Sequence, residues 1–476
     1  MTISSDSKRS IAIMLPALDS IRNVVYSGLL ERLNRSGVDV HLLIYDYNPS
    51  VPDAKNGQGF SLAKSCQPLI APTVKHIVRG LAMLKSVLAS AYGRRYGIGS
   101  YAIYRRWHDR DLSKWERLRR RGIEILGTLA QPHLIYTGLV RLFDRLYRRQ
   151  NDLSSIRQQL QEVNPDLLCS TYYVMEPYER GYIDCAKDLG IPVINEIMSF
   201  DNLTSKTNHM VYDYYLVWNQ GMQDQLLRFY PQVKPNQISI TGTPQFDFHL
   251  RQDCNWKRDE TLERLGLPPG AKYFLYAAGS ASLTPAEPAL VTRLAERMQA
   301  NDLLHGYWLV VRLHPRDDWS RWEPVRSVSN RLVLSKPWGA ESGVVYPAMA
   351  DQARLTSSLA HAKACINIAS TVSLDAAILD RPVIGIRFDQ EPDAPREILY
   401  EEFDTDHYRP LVESGGLRLA YTWEDLFILM IEAIKNPERD KEERLHMVSK
   451  ECGMVDGKAA ERVACALLGY LEKVHL

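Results

Sequence analysis

The sequence predicts an α/β protein built from two doubly wound domains, each around its own parallel sheet. Short β-branched apolar runs recur with helical stretches between them, and nearly continuous apolar strands belong to parallel sheets covered on both faces. The runs also fall into two sets, separated by a polar, turn-rich stretch. The 476 residues are 45% hydrophobic and 24% charged, with 27 Gly and 25 Pro. This excludes disordered, collagen-like and disulfide-scaffold classes.

The first set comprises IAIMLP (11–16), VHLLIYD (40–46), DLLCST (166–171), PVINEIM (192–198), YYLVWN (214–219) and ISITG (238–242). The second comprises YFLYAAG (273–279), WLVVRLHP (308–315), RLVLS (331–335), ACINIAS (364–370), PVIGIRF (382–388) and LRLAYT (417–422). Each set suffices for one Rossmann-like domain. The turn chemistry of LGLPPGAK, in the polar stretch 251–270, puts the boundary near residue 255. The expected organisation is a first domain over 1–255, a second over 256–455, and a last segment, 456–476. That segment holds a helix, Lys458 to Val474, whose Val463, Leu467, Leu468 and Leu471 pack back across the domains.

One stretch, about 70–150, breaks the alternation and reads as a basic helical insertion in the first domain. The formal net charge of the chain is +1, but residues 75–150 alone carry +12, leaving −11 on the rest. Val74, Ile77, Val78, Leu81, Leu84, Val87, Leu88 and Ala91 are expected on one helical face. Trp107, Trp115, the run Arg119 to Arg121 and IYTGLVRLFDRLYRR (135–149) continue the amphipathic, basic pattern. Such helices fit an anionic membrane surface, with aromatic side chains in the headgroup layer. They equally fit helices that pad a domain and keep their arginines solvated. Nucleic acid is not expected, because no binding motif accompanies the charge.

Seven scattered cysteines without a C-x-x-C pair fit a reducing cytoplasm. No signal-peptide core and no apolar run of membrane-spanning length is found, so the expected location is cytoplasmic, with any membrane contact peripheral at the inner face.

The chain lacks the phosphate loop, G-x-G-x-x-G after the first strand, H-E-x-x-H and G-x-S-x-G patterns. Asp-x-Asp occurs at Asp109/Asp111 and Asp404/Asp406 but at no strand end, so no metal ligands are assigned and no cofactor is expected. The chemistry-bearing residues cluster where second-domain strands end, the edge at which open α/β sheets bind ligands. One strand ends in Arg312, Leu313, His314, both cationic groups suited to phosphate. Another ends in Ser370 and Thr371 before a helix containing Ser373 and Asp375, an anion-binding arrangement with a carboxylate in reach of a ribose hydroxyl. A third ends in Gly279, Ser280, Ala281, Ser282, which permits close approach. Each alone reads as an ordinary cap or turn; three on one sheet point to a nucleotide phosphate site.

His314-Pro315, Ser370-Thr371 and the run Leu379 to Ile384, with Val217-Trp218-Asn219 and the run Ile240 to Asp247, resemble the GT-B transferases of bacterial surface-polysaccharide synthesis. The nearest groups are the CDP-glycerol glycerophosphotransferases and the CMP-sugar (Kdo and sialyl) transferases. The resemblance covers roughly residues 190–475. It implies two Rossmann-like domains facing a cleft. It also implies a nucleotide-sugar donor (CMP, CDP or UDP type) as substrate, and a glycan or lipid-linked glycan acceptor. His314 and Arg312 would contact the donor phosphate, Ser370, Thr371 and Ser373 would hold it, Asp375 would bind ribose, and Trp338 would flank the base, beside the Gly279, Ser280 and Ser282 loop read above as a third donor-binding approach. The acidic-acidic-glycine base motif of sialyltransferases is missing.

An inverting transfer also needs a base for the acceptor hydroxyl. Asp19 is the first candidate, Glu196 or Asp201 the second, with His314 the further catalytic residue. Arg22, Asn23, Glu176, Asn202 and Lys206 are acceptor-binding candidates. The expected function is metal-independent transfer of a sugar to a surface glycan (lipopolysaccharide, O-antigen or capsule). The alternatives are CDP-glycerol-type glycerophosphotransfer, UDP-sugar 2-epimerisation, and non-catalytic glycan or nucleotide binding.

Overall fold

The structure, a computed structural model, describes residues 8–16, 18–47, 60–109, 112–171, 178–206, 210–281, 284–315, 317–337, 349–388 and 398–474. The chain divides into two compact units, residues 1–243 with 459–476, and residues 244–458.

The first unit holds a seven-stranded parallel sheet in the order β3-β2-β1-β6-β7-β8-β9. Its strands are β1 (Ser10–Leu15), β2 (Asp39–Ile44), β3 (Ser65–Pro68), β6 (Leu167–Ser170), β7 (Val193–Glu196), β8 (Tyr214–Val217) and β9 (Ile238–Ile240). Every residue of β1, β2, β6 and β7 is buried, as their apolar runs require of central strands. The edge strand β3 has no sequence signature: Ser-Cys-Gln-Pro is neither β-branched nor alternating, and its proline is tolerated because only one side is paired.

Between β3 and β6 the chain leaves the sheet. The short strands β4 (Thr73–Val74) and β5 (Asn151–Asp152) pair antiparallel, Val74 opposite Asn151. They close the base of four helices: Leu81–Arg95, Gly99–Asp109, Lys114–Leu129 and His133–Gln150. The expected apolar face from Val74 is shortened, because Gly80 at φ +89° starts the first helix only at Leu81 and Ile77 is 85% exposed. Val87, Ala91, Ile123 and Ala130 form one small core; Leu81, Leu88 and Phe143 form another. Gly127 lets the third helix approach the first, since a Cβ there would run into the Ser90 side chain.

The second unit carries a six-stranded parallel sheet in the order β12-β11-β10-β13-β14-β15. These are β10 (Tyr273–Ala277), β11 (Trp308–Arg312), β12 (Leu332–Ser335), β13 (Cys365–Asn367), β14 (Val383–Ile386) and β15 (Leu417–Ala420). Both sheets thus begin in the middle, grow to one edge, return and grow to the other. The strand order reverses beside β1 in the first and beside β10 in the second.

Two boundaries differ from the sequence expectation. The division falls after Thr243 rather than near residue 255. The 3-10 turns Pro244–Leu250 and Gln252–Cys254 dock on the helix Met349–His361: His249 Nδ1 lies 3.0 Å from Thr356 Oγ1, and Ser357 Oγ donates to the Cys254 carbonyl at 3.1 Å. The last helix, Ala459–Val474, belongs to the first unit. Tyr470 stacks on Tyr214 with ring centroids 3.9 Å apart, and Arg462 Nε donates to the Thr241 carbonyl at 2.7 Å.

Candidate functional site

In the second sheet, Ser335, Arg312, Ala277, Asn367 and Gly385 pair side by side near the carboxyl ends of β12, β11, β10, β13 and β14. Paired residues of a parallel sheet point to the same face. Arg312 and Asn367 therefore flank the small Ala277, in the row that meets the expected phosphate loops.

Arg312 is buried and paired: its Nη2 lies 2.6 Å from Asp351 Oδ2, itself buried. Its Nη1 is also buried and has no hydrogen-bond partner among the described residues. A buried guanidinium N–H without an acceptor costs free energy that an anionic oxygen would restore.

Asn367, which sequence reasoning missed, builds the loop after β13. Its Oδ1 accepts from the Ser370 backbone N–H at 3.0 Å, and its Nδ2 donates to Ser373 Oγ at 3.0 Å. Tyr408 donates to the Ser370 carbonyl at 3.2 Å and lies 2.8 Å from Ser373 Oγ. Ala369 is held at φ +45°, a left-handed conformation that a residue with a Cβ adopts at a cost of roughly 1–2 kcal/mol. Within this arrangement Ser373 is fully buried and committed to Asn367 and Tyr408, whereas Ser370 is half-buried and Thr371 exposed. Asp375 is likewise committed, its Oδ1 lying 2.6 Å from His249 Nε2.

A second network joins the loops after β10 and β11. Glu287, fully buried, accepts from Tyr276 (2.9 Å), the Gly279 N–H (2.8 Å) and Thr284 Oγ1 (2.7 Å). Asp317 accepts from the Ala281 N–H (2.7 Å), Trp322 Nε1 (2.7 Å) and Arg321 (2.9 Å). Arg321 in turn donates to the Thr284 carbonyl at 2.7 Å. Burial pushes the Glu287 carboxyl up to about 7 despite these donors. Gly279 has a packing reason as well, since a Cβ there would sit 2.7 Å from Thr284 Oγ1. Ser280 is buried in this loop and His314 is half-buried at the head of the next, its carbonyl accepting from Trp319 Nε1 at 3.1 Å.

In the first unit, β7 ends in Glu196. Its carboxyl is buried, Oε2 has no hydrogen-bond partner among the described residues, and desolvation pushes it up to about 7. A carboxylate poised near neutrality, its Oε2 without a donor among the described residues, has the electrostatics of a general base. Ser20 Oγ, one residue beyond Asp19, donates to Met198 Sδ at 3.4 Å, so the turn after β1 meets the segment after β7. In that turn Arg22–Tyr26 form a π-helical stretch, with Asn23 buried and its Oδ1 accepting from Arg22 Nε at 3.1 Å. Asp201 is spoken for: both Ser199 and Ser205 hydroxyls donate to it. Asn202 is buried and Lys206 exposed.

Glu176, Ser282, Trp338, Asp111 and the side chains of Asp19 and Asp109 lie outside the described residues. Asp404 and Asp406 are held by Arg387 and Arg409. Among the described residues no three His, Cys, Asp or Glu side chains converge as a metal site.

A model of the CDP-glycerol:poly(glycerophosphate) glycerophosphotransferase family matches residues 185–469. The chain belongs to this family. The glycerophosphotransferase match takes in β7 with Glu196 and every donor-loop residue described above, and it makes the protein a transferase that uses a nucleotide-activated donor. Among solved structures the family member is similar to UDP-GlcNAc 2-epimerase from Methanocaldococcus jannaschii (16% identity, 97% of this chain and 99% of that one, TM-score 0.53). It is also similar to the S. aureus MnaA–UDP co-structure (12%, 98% and 97%, TM-score 0.53). A third similar structure is CalG4, the calicheamicin glycosyltransferase (12%, 98% and 100%, TM-score 0.50). At these identities the likeness concerns the GT-B fold. No curated protein sequence gives a significant match.

Proposed function

We propose that this family member transfers a glycerophosphate-type group from a CDP-activated donor to a hydroxyl of a surface-glycan acceptor, releasing CMP. The observation that carries the reading is the family match across residues 185–469, which includes all three loops at the reversal of the second sheet. In this reading the acceptor oxygen attacks the phosphorus distal to the cytidine as the phosphoanhydride bond to CMP breaks. The proton passes to Glu196, with Asp19 as the other candidate. The Nη1 of Arg312, His314 and the Ser370–Thr371 hydroxyls meet the charge on the phosphates, while Gly279, Ser280 and Ser282 let the donor approach and Trp338 flanks the base. Asp375 keeps a role in shaping the ribose side through His249, and Arg22, Asn23, Glu176, Asn202 and Lys206 serve the acceptor.

Glycosyl transfer from a nucleotide sugar is the second reading. It is favoured by the fold shared with a calicheamicin glycosyltransferase and a UDP-bound protein. On the acceptor side, the basic insertion would rest on an anionic membrane surface. No described helix is long and apolar enough to cross a membrane.

Thermal shifts with CMP, CDP, UDP and GDP test the donor, since a ligand bound only by the native state raises the melting temperature. Cytidine nucleotides giving the largest shift, together with acceptor-dependent CMP release from CDP-glycerol, support the reading. A shift with UDP alone moves the assignment to glycosyl transfer or epimerisation, and no shift with any nucleotide sinks it.

A further inference from the structure

In the second unit, the turn that carries Gly279 to Ala281 and the turn that carries His314 are tied together by Asp317 and Arg321. Asp317 touches both. Its backbone N–H donates to the His314 carbonyl at 3.1 Å, while its Oδ1 accepts from the Ala281 N–H at 2.7 Å. The carboxylate is fully buried, and its Oδ2 accepts from Trp322 Nε1 at 2.7 Å and from Nε and Nη2 of Arg321 at 3.0 and 2.9 Å.

Arg321 carries five N–H donors in a planar fork, and each has a protein acceptor. Nε donates to Asp317, and Nη1 to the Thr284 and Pro285 carbonyls at 2.7 and 3.1 Å. Nη2 donates to Asp317 and, at 3.4 Å, to the Gly279 carbonyl. An arginine that grips a substrate phosphate keeps N–H groups for it, as Arg312 does with its Nη1, which has no partner among the described residues. Arg321 keeps none, so its contribution is to shape. Three of its bonds reach the 279–285 segment and two reach Asp317, which holds the His314 carbonyl. A displaced guanidinium therefore moves both turns at once. Glu287 closes the arrangement, accepting from the Gly279 N–H at 2.8 Å and lying 3.9 Å from Arg321.

We propose that Arg321 is a positioning residue: with Asp317 it holds the Gly279–Ala281 turn in register with the His314 turn, and thereby sets the grip on the donor's diphosphate without contacting the donor. The inference rests on the nucleotide-donor reading and adds two residues to its site. Lysine cannot replace Arg321, because it keeps the charge but offers its three N–H groups from one nitrogen and cannot span two carbonyls and a carboxylate with a rigid fork.

Calorimetric titration of CDP into the full chain, in a double-mutant cycle of Arg321→Lys and His314→Ala, tests it. Each change alone should weaken CDP by about tenfold, and the two together by no more than about threefold beyond either, because both act on one turn. The control is Arg444→Lys in the same unit. Arg444 is as fully committed, to Asp380 (3.0 and 2.7 Å) and the Arg439 and Pro437 carbonyls (2.6 and 3.1 Å), but it lies beside Pro382 and Val383 at the amino end of β14. That variant should lower the melting temperature and leave CDP affinity within about threefold. If Arg321→Lys does not fold, Asp317→Asn, which keeps an acceptor for the Ala281 N–H, takes its place in the cycle with the same expected outcome. Unchanged CDP affinity in Arg321→Lys, losses that multiply to about 100-fold in the double variant, or an equal loss in Arg444→Lys overturns the proposal. If the unaltered protein binds UDP and not CDP, the glycerophosphate reading falls, and the same cycle run with UDP decides the positioning role. If it binds neither, both fall.

Discussion

His249 and Asp375, 126 residues apart in the chain, meet at 2.6 Å, and the other ring nitrogen of His249 lies 3.0 Å from the hydroxyl of Thr356. The imidazole is buried. It fastens the start of the second unit to the helix Val372–Ile378, directly after the Ser370–Thr371 loop.

This pair makes Asp375 a positioning residue. Asp375→Ala leaves a buried imidazole without its partner, which should lower stability by roughly 1–3 kcal/mol and lower the melting temperature of the free protein. Asp375→Asn, which keeps an acceptor oxygen for His249, should restore most of it. A direct ribose contact predicts the opposite pattern: unchanged melting of the free protein in both variants and lost nucleotide affinity.

The pH dependence of stability follows from Glu196 and Glu287, both raised to about 7 by burial. A carboxyl whose folded-state value exceeds its unfolded one binds its proton more tightly when folded. Its stabilising contribution is complete below the unfolded value near 4.5 and is lost as pH rises to about 7. Chemical denaturation at pH 5 and pH 8 should show a loss over this interval, and Glu196→Gln should flatten it by up to about 3 kcal/mol. An unaltered slope in that variant would show that Glu196 titrates normally.

For catalysis, the same carboxyl must be deprotonated to accept a proton. The turnover rate is therefore expected to rise with pH along a limb near 7, and Glu196→Gln should lose about 100-fold or more in kcat with little change in donor KM. Loss of a similar size in Asp19→Asn alone, with Glu196→Gln active, would transfer the role.

His314→Ala should abolish transfer and leave the melting temperature within a few degrees, because the side chain is only half-buried. Asp351→Ala should do the reverse first, unfolding the second unit more readily by about 3–5 kcal/mol, since it strands the buried Arg312. Circular dichroism beside a CMP-release assay separates the two. Full turnover in His314→Ala would remove it from the phosphate site.

Much of the fold was legible because parallel strands announce themselves: ten of the twelve apolar runs named from the sequence contain their strands, β6 to β15, and the other two start one residue inside β1 and β2. The strand β3 was not, since Ser65–Pro68 gains its conformation from pairing with β2 rather than from its own side chains. At the candidate site, the sequence pointed to the loops but not to the residues that support them. Asn367, Glu287, Asp317 and His249 are ordinary residues at ordinary spacings, and only tertiary structure brings a glutamate on one helix beneath a glycine eight residues earlier. Spacing could not tell a hydroxyl that faces a ligand from one spent on its own loop, as Ser373 is.

The two-residue ribbon of β4 and β5 has a topological meaning. The chain departs at Val74 and comes home at Asn151, its direct neighbour, so the 76 residues between them form a side branch whose length the parent sheet never senses. A segment attached in this way can be exchanged without re-registering any strand of the sheet. The insertion can thus be swapped at the ribbon while the order and register of the parent sheet stay as they are.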